Sequence, residues 1–225
     1  MQKGDIILVE LTGRDAESRK VFETTSREIA EKEGIFSENA IYKPIAIIVG
    51  KQALAKGLEK AIEEMREGEE RKLSLMPEEA FGERKQELIG IVPLKEFQNR
   101  KIKPFPGLIV DLNGNAGRVQ SISGGRVRVD FNNDLAGKQV EFEVKVLKKL
   151  ETAEEKAKAL VEKLLGRLEA KIKIQEEEAE IELPEEAQKS GHLKVLEKII
   201  EKEILENVKE LKKVKFKERA EKAEK

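Results

Sequence analysis

The most regular pattern of apolar and polar positions lies in residues 44–82. The β-branched run 45–49 predicts a buried strand. Apolar residues then recur at steps of three and four, and Gly68 predicts the end of the helix that this spacing indicates. The predicted buried stripe of the helix is Leu54, Leu58, Ala61, Ile62 and Met65. The alternation over 71–75 predicts a returning strand, so this stretch lays one helix across a sheet.

The chain before this stretch predicts a hairpin and a short helix. Residues 5–12 alternate as in a strand, and the polar residues 14–20 form the turn into a second strand at Val21-Phe22. The segment EIAEKEG at 28–34 predicts a short helix that ends at a glycine.

The segment after the central stretch has a pattern of its own. In the segment 84–132, Asn113-Gly114 and Gly124-Gly125 are two-residue hairpin signals. They predict a small β module, from IGIVPLKEF onward, with strands near 108–112, 117–122 and 126–131.

The pattern of the last residues predicts an α-β-β-α-β order. Thr152 and Glu155 have capping-box spacing at the start of a helix over 153–169. The following elements are predicted as a hairpin at 171–175 and 179–183, a helix at 191–208, a short strand at Val214 and Phe216, and a solvated tail after Lys217. The expected buried positions of the second helix are Leu193, Leu196, Ile199, Ile200, Ile204, Leu205 and Val208.

Composition narrows the classes of function. The 225 residues carry 44 basic and 45 acidic side chains, a net charge of -1, which argues against nucleic-acid and membrane partners. Cysteine is absent, which excludes thiol chemistry and disulfides. No apolar run is long enough for a signal peptide or a spanning helix, so we expect a cytoplasmic protein.

Four blocks of the chain, in order, resemble the FKBP family of peptidyl-prolyl isomerases. They are LTG at 11–13, VFETT at 21–25, the run from GKQ at 50–52 through KG to PEEAFG at 77–82, and FEVKVLKKLE at 142–151. The resemblance covers residues 1–151. It implies an α+β fold in which an FKBP-like antiparallel sheet wraps on one helix, with isomerase domain residues 1–83 and 133–151.

The segment 84–132 is similar to the insert-in-flap chaperone domain of long-chain archaeal members and of the bacterial SlyD group. Residues 152–225 lie beyond the four blocks, and we assign them as a C-terminal dimerisation and chaperone domain of α-β-β-α-β order. A related nickel-binding group carries histidines in and after the return from the insert. This chain has Asn132, Asn133 and Asp134 there, so we predict no metal site and no cofactor.

Prolyl isomerisation needs no nucleophile, because the barrier of about 18–20 kcal/mol comes from amide resonance, and an apolar pocket that holds a twisted imide suffices. The resemblance implies that Glu23 is the carboxylate at the pocket edge. It implies a lining of Leu11, Phe22, Ile45, Ile47, Leu54, Ala55, Leu58, Phe81 and Phe142. Better-known members carry tyrosine at positions 11 and 81, tryptophan at 58 and aspartate at 23, which puts macrolide affinity in doubt.

The alternatives differ in what the apolar residues do. In the first alternative, each apolar pocket residue is an ordinary core residue. In the second, the chain has lost isomerase activity and is a non-catalytic holdase that only binds polypeptides. We expect unfolded polypeptides that contain proline as partners, bound in the insert by Ile89, Ile91, Val92, Leu94, Phe97, Phe105, Leu108 and Ile109. An RNA-binding barrel is a third interpretation, which the lack of interleaved aromatic residues and of positive charge disfavours.

The second C-terminal helix also predicts self-association. Its adjacent apolar pairs 199–200 and 204–205 make a face wider than one hairpin covers, so we expect a homodimer. The alternative is a monomer in which this C-terminal part packs on its own isomerase domain.

Overall fold

The computed structural model describes residues 1–51, 54–189 and 191–217, and the predicted solvated tail lies outside them. The strands are β1 Ile6–Asp15, β2 Val21–Thr24, β3 Ile45–Ile48, β4 Glu70–Leu75, β5 Ile89–Pro93, β6 Ile109–Leu112, β7 Asn115–Ser123, β8 Arg126–Asp130, β9 Val140–Lys149, β10 Lys171–Gln175, β11 Glu178–Glu182 and β12 Lys213–Phe216. The helices are α1 Arg27–Lys32, α2 Lys56–Glu64, α3 Leu94–Asn99, α4 Ala153–Leu165, α5 Glu185–Gln188 and α6 Leu193–Asn207. The fold is therefore α+β, as predicted.

The chain divides into two compact units. One contains Met1–Ser74 and the chain from Glu141 onward, and the other is Leu75–Val140. The second unit extends beyond the segment 84–132 at both ends, and the C-terminal residues share the first unit with the N-terminal ones.

The first unit is built on a five-stranded sheet of order β2-β1-β9-β4, in which β3 also pairs with β1. Strand β1 is long enough to pair with two partners along one edge. Its first part runs antiparallel to β3, with Ile6 opposite Ile48, and its second part runs antiparallel to β2, with Thr12 opposite Thr24. A bulge follows Gly13 in β1.

The two faces of this sheet have different partners. Directly opposed residues of antiparallel strands lie on the same face, and the side-chain direction alternates along each strand. The pairing thus places Ile7 and Ile47 on one face and Ile6 and Ile48 on the other. Ile6 and Ile48 belong to one buried cluster with the C-terminal residues Leu160, Val161, Ala179, Ile181, Ile200 and Ile204. The C-terminal chain therefore covers one sheet face in the same molecule.

Helix α2 differs from its prediction at both ends. It begins at Lys56, so Leu54 precedes it, and it ends at Glu64. Gly68 does not end the helix but occupies the left-handed turn before β4, with φ of 79°. The Met1 ammonium group instead donates to the Glu63 carbonyl, at 2.7 Å, and so satisfies an acceptor in the last turn of α2.

The C-terminal chain has the predicted α-β-β-α-β elements and one more helix. The Thr152 and Glu155 capping box is present at the start of α4, which ends earlier than predicted, at Leu165. Strand β11 lies between β10, which is antiparallel to it, and β12, which is parallel. The short helix α5 between β11 and α6 was not predicted, because its four residues give no helical period.

Helix α6 buries fewer residues than its sequence predicts. Ile200, Ile204 and Val208 are fully buried, and Leu193, Leu196 and Leu205 are partly buried. Ile199 is 47% exposed and Val195 is 57% exposed. The prediction that Ile199 is buried is wrong, because α4 and β12, which pack against α6, cover only one side of the helix.

The second unit holds a four-stranded antiparallel sheet of order β5-β8-β7-β6. Its hairpins turn at Asn113-Gly114 and Gly124-Gly125, and all four residues have the positive φ that such turns require. The segment LKEF was predicted as part of the β module but begins helix α3, which Pro93 precedes. Phe97 of α3 is fully buried among Val110, Leu112, Val119, Val127 and Val129.

A network around Asp130 and Asn132 joins distant parts of the second unit. The Asn132 side chain accepts from the Lys85 amide N–H and donates to the Lys85 carbonyl, each at 2.9 Å. The buried Asp130 carboxylate accepts from Arg84 and, at 3.1 Å, from Gln120. Its pKa is held below the usual value: burial opposes this, but the hydrogen bonds from Asn132 and the charge of Arg84 outweigh it.

Candidate functional site

The centre of the candidate site is a contact between two aromatic rings and a glycine. The Phe22 and Phe142 rings meet edge to face, with centroids 5.7 Å apart and planes at 86°. Gly13 lies against both rings. A Cβ atom at Gly13 would come within 2.6 Å of Phe22 Cζ and 2.7 Å of Phe142 Cε1, so only a residue without a side chain leaves the rings in place.

Hydroxyl groups of the β1–β2 hairpin position Phe22. The Thr12 and Thr24 hydroxyls are hydrogen-bonded to one another at 2.8 Å, and the Leu11 amide N–H donates to the Thr25 hydroxyl at 3.0 Å. The Thr25 amide N–H donates to the Leu11 carbonyl at 2.9 Å. These bonds fix the strand register, and the register decides where Phe22 lies.

The predicted pocket residues of the first unit come from five segments, which are β1, β2, β3, β9 and the start of α2. Leu11, Ile47, Leu58 and Phe142 are buried, whereas Phe22, Ile45, Leu54 and Ala55 are half-buried. Strand pairing puts Ile45 and Ile47 on the sheet face opposite the C-terminal cluster. Leu58 lies in the first turn of α2, and Ala55 immediately precedes that helix. The surroundings are therefore apolar.

Glu23 lies beside Phe22 in β2, opposite Gly13. The residue is exposed, yet neighbouring protein atoms partly desolvate its carboxyl group, and this desolvation raises its pKa. In the described parts of the chain, the structure assigns no countercharge that would lower it. At a given pH this carboxyl group is therefore protonated to a larger extent than an ordinary glutamate.

Phe81 belongs to the second unit. It is half-buried in the turn after a short 3₁₀ helix at Pro77–Glu79, where Gly82, with φ of 78°, donates its amide N–H to the Pro77 carbonyl at 2.7 Å. Its assignment to the pocket lining stays a prediction.

The apolar residues predicted to bind clients divide into exposed and buried groups. Ile91 is 65% exposed, Ile109 is 63% exposed and Phe105 is 56% exposed. Ile89 is half-buried, and Val92, Leu94 and Leu108 pack against the core of the second unit. Phe97 is fully buried, so the prediction that it contacts a client is wrong: the alternation of the strands turns their apolar side towards α3.

Gly13 and the threonine hydroxyls were not predicted as site residues. A signal for Gly13 was present, because a glycine inside a strand pattern marks a bulge or a close approach of another group. The threonines gave no such signal, since hydroxyl groups in strands bond to many kinds of partner.

Apolar groups predominate in this arrangement, and apolar surface favours contact with another apolar ring over contact with water. Its members are two phenyl rings, aliphatic side chains and one partly desolvated carboxyl group, and none of these is an activated nucleophile. This is the environment that weakens amide conjugation without covalent chemistry, because a twisted imide loses less solvation there than a planar one.

Comparisons with known proteins agree with this geometry. The family model described as FKBP26, IF domain, matches residues 90–135, and that described as FKBP26 C-terminal matches residues 153–221. A short-type peptidyl-prolyl cis-trans isomerase of Methanocaldococcus jannaschii is 31% identical over 150 residues, 65% of this chain and 92% of the relative. The FKBP-type isomerase SlyD of Helicobacter pylori is 28% identical over 64% of this chain and 81% of its own length.

Among solved structures, the three FKBP domains of wheat FKBP73 align with a TM-score of 0.35 and 14% identity, over 67% of this chain and 40% of that one. We draw no argument from so distant a likeness. The extent of the archaeal match is sufficient: this chain belongs to the FKBP-type peptidyl-prolyl cis-trans isomerase family. In the described residues, no helix is both long and apolar enough to cross a membrane.

Proposed function

We propose that this chain isomerises X-Pro peptide bonds in the apolar site around Phe22 and Phe142, and that it also binds unfolded polypeptide through its second unit. The observation that carries the first part is the edge-to-face ring pair against Gly13. Such rings offer an apolar surface on which a prolyl ring can pack, and water excluded from that contact cannot stabilise the planar imide.

In this proposal the protein lowers the barrier by binding the twisted imide more tightly than the planar one. The apolar lining desolvates the imide nitrogen, which favours loss of conjugation. The Glu23 carboxyl group lies at the edge, where it polarises the twisting carbonyl or a neighbouring group. Leu11 and Leu58 replace the aromatic residues of better-known members by side chains that fill space but donate no hydrogen bond.

A proline-limited refolding assay and a tetrapeptide assay test the isomerase directly. We expect folded Phe22→Ala and Phe142→Ala variants to lose most of their activity, because each removes one of the two rings of the proposed site. A thermal melt must confirm folding, since loss of a phenyl ring from a core costs about 3–5 kcal/mol of stability. Phe131→Ala, in the second unit, is the matched control and should keep the tetrapeptide activity. Wild-type rates in both site variants would show that the pocket assignment is wrong, and an inactive wild type would favour the holdase alternative.

The proposal for polypeptide binding depends on one face of the second unit. Strand register places Ile109, Arg118, Asp130 and Ile89 in one row across the sheet, and Ile91 on the same face opposite Arg128. This face therefore combines the exposed side chains of Ile91 and Ile109 with arginine stems and with the buried Asp130 carboxylate. Such a surface contacts apolar segments of unfolded chains without demanding a sequence.

Its test compares catalysis on peptide and on protein. Ile91→Ser with Ile109→Ser should leave tetrapeptide activity unchanged and lower catalysis of protein refolding, because captured chain no longer raises the local concentration of prolyl bonds. Ile35→Ser, a 37% exposed residue of the first unit, is the control. An equal loss on both substrates would contradict separate roles for the two units.

We also propose a homodimer formed through α6. Val195 and Ile199 lie four positions apart on one side of this helix, and both are exposed. A two-fold interface would cover this stripe on both copies. Light scattering tests it: a mass near 25.5 kDa at micromolar concentration, or a dimer that Ile199→Glu leaves intact, would contradict it. The cytoplasmic location stays a prediction from the sequence.

A further inference from the structure

A groove in the first unit runs between the C-terminal helix α4 and the segment that leads into β3. Its volume is about 380 Å³, within the range of small-molecule sites. The floor is apolar, and it consists of Leu8, Ile41, Pro44, Ile45, Leu150 and Ala159. Ile45 is the one floor residue that is also assigned to the isomerase pocket, and the polypeptide-binding face of the second unit does not use this groove.

Two ion pairs limit the length of the groove. Lys148 pairs with Glu155 near the start of α4, and Lys43 pairs with Glu162 at 3.5 Å. The two glutamates are seven positions apart on the helix, which separates them by about 10 Å along its axis, and Ala159 lies between them. A groove bounded in this way fits a compact ligand rather than an extended polypeptide, which would need both ends open.

The two ends differ in charge. Glu155 is satisfied by Lys148 and by the Thr152 and Glu151 amide groups, which lower its pKa to about 2, so this end is neutral. Among the described residues that line the groove, the other end has three ammonium groups, from Lys43, Lys158 and Lys163, and one carboxylate, from Glu162. That end therefore has an excess of two positive charges beside an apolar floor.

We propose that the groove binds a medium-chain amphipathic carboxylate. Its alkyl chain lies on the apolar floor across Ala159, and its carboxylate lies among Lys43, Lys158 and Lys163. The chain end points towards the Lys148–Glu155 pair, which closes the groove. This assignment does not depend on the proposed isomerase or chaperone function.

Calorimetric titration of the full-length protein with decanoate, below its micelle concentration, tests the proposal. We expect saturable binding that weakens about fourfold for each methylene removed, so that octanoate binds about 16-fold more weakly. Tetradecanoate should gain little over decanoate, because the groove is closed. Decanol, which lacks the charge, should bind about fivefold more weakly than decanoate.

Two variants locate the site. Ala159→Phe fills the middle of the groove and should weaken decanoate binding at least tenfold. Lys163→Gln, at an exposed position that does not endanger folding, should weaken it about two- to fivefold, whereas the matched control Lys194→Gln on α6 should not change it. Unsaturable binding, equal affinity for decanol, or unchanged affinity in Lys163→Gln and in folded Ala159→Phe would each overturn the proposal.

Discussion

Replacing Gly13 by alanine is the sharpest perturbation of the candidate site. The added methyl carbon would lie 2.6 Å from Phe22 Cζ and 2.7 Å from both Phe22 Cε2 and Phe142 Cε1. Gly13 does not have the left-handed φ that L residues avoid, so the substitution adds a steric effect without backbone strain.

The size of the effect follows from these distances. Carbon atoms in good contact are about 3.5–4.0 Å apart, so the rings must retreat by roughly 1 Å. Overpacking of this kind costs about 1–3 kcal/mol. If the displaced rings lose that much of their interaction with the twisted imide, kcat/KM falls about 5- to 150-fold, since 1.36 kcal/mol is a factor of ten in rate.

The assay is isomerisation of a proline tetrapeptide, with a thermal melt to confirm folding. Gly191→Ala is a matched control, because that glycine also lacks a left-handed φ and its Cβ would have no heavy atom within 4 Å. The control should keep wild-type kcat/KM. A folded Gly13→Ala protein with wild-type kcat/KM would refute the assignment of the Phe22 and Phe142 rings to catalysis.

Three further predictions concern single side chains. Desolvation raises the folded-state pKa of Glu23 above its ordinary 4.5, so ionisation of this group opposes folding. The melting temperature of the wild type relative to Glu23→Gln should therefore fall as the pH rises from 4.5 through the raised pKa. A difference that stays constant with pH would contradict this. Thr152→Ala removes the cap that accepts the Glu155 amide N–H at 3.2 Å, which should cost about 1 kcal/mol, or about 2–4 °C by calorimetry. Asn132→Ala should increase hydrogen exchange at the Lys85 amide, whose side-chain acceptor it removes, and unchanged exchange would show that the network is dispensable.

The sequence alone determined most local elements of this protein. The hairpin turns at Asn113-Gly114 and Gly124-Gly125, the capping box at Thr152 and the stripe of α2 each depend on residues a few positions apart, so their patterns were sufficient. The order of the four family blocks also identified the family, which the archaeal relative then showed. The helix α3 was missed because its six residues follow a strand pattern without a clear change of period.

Only the tertiary structure decided which apolar residues meet. Gly13 and Phe142 are far apart in the chain, and their contact depends on strand pairing and on a bulge that no local pattern specifies. For the same reason, the sequence could not distinguish Ile199, which is exposed, from Ile200, which is buried: both fit the stripe, and only the position of the covering elements separates them. Local periodicity determines which side chains can share a face, whereas burial depends on what packs against that face, and that partner comes from a distant part of the chain.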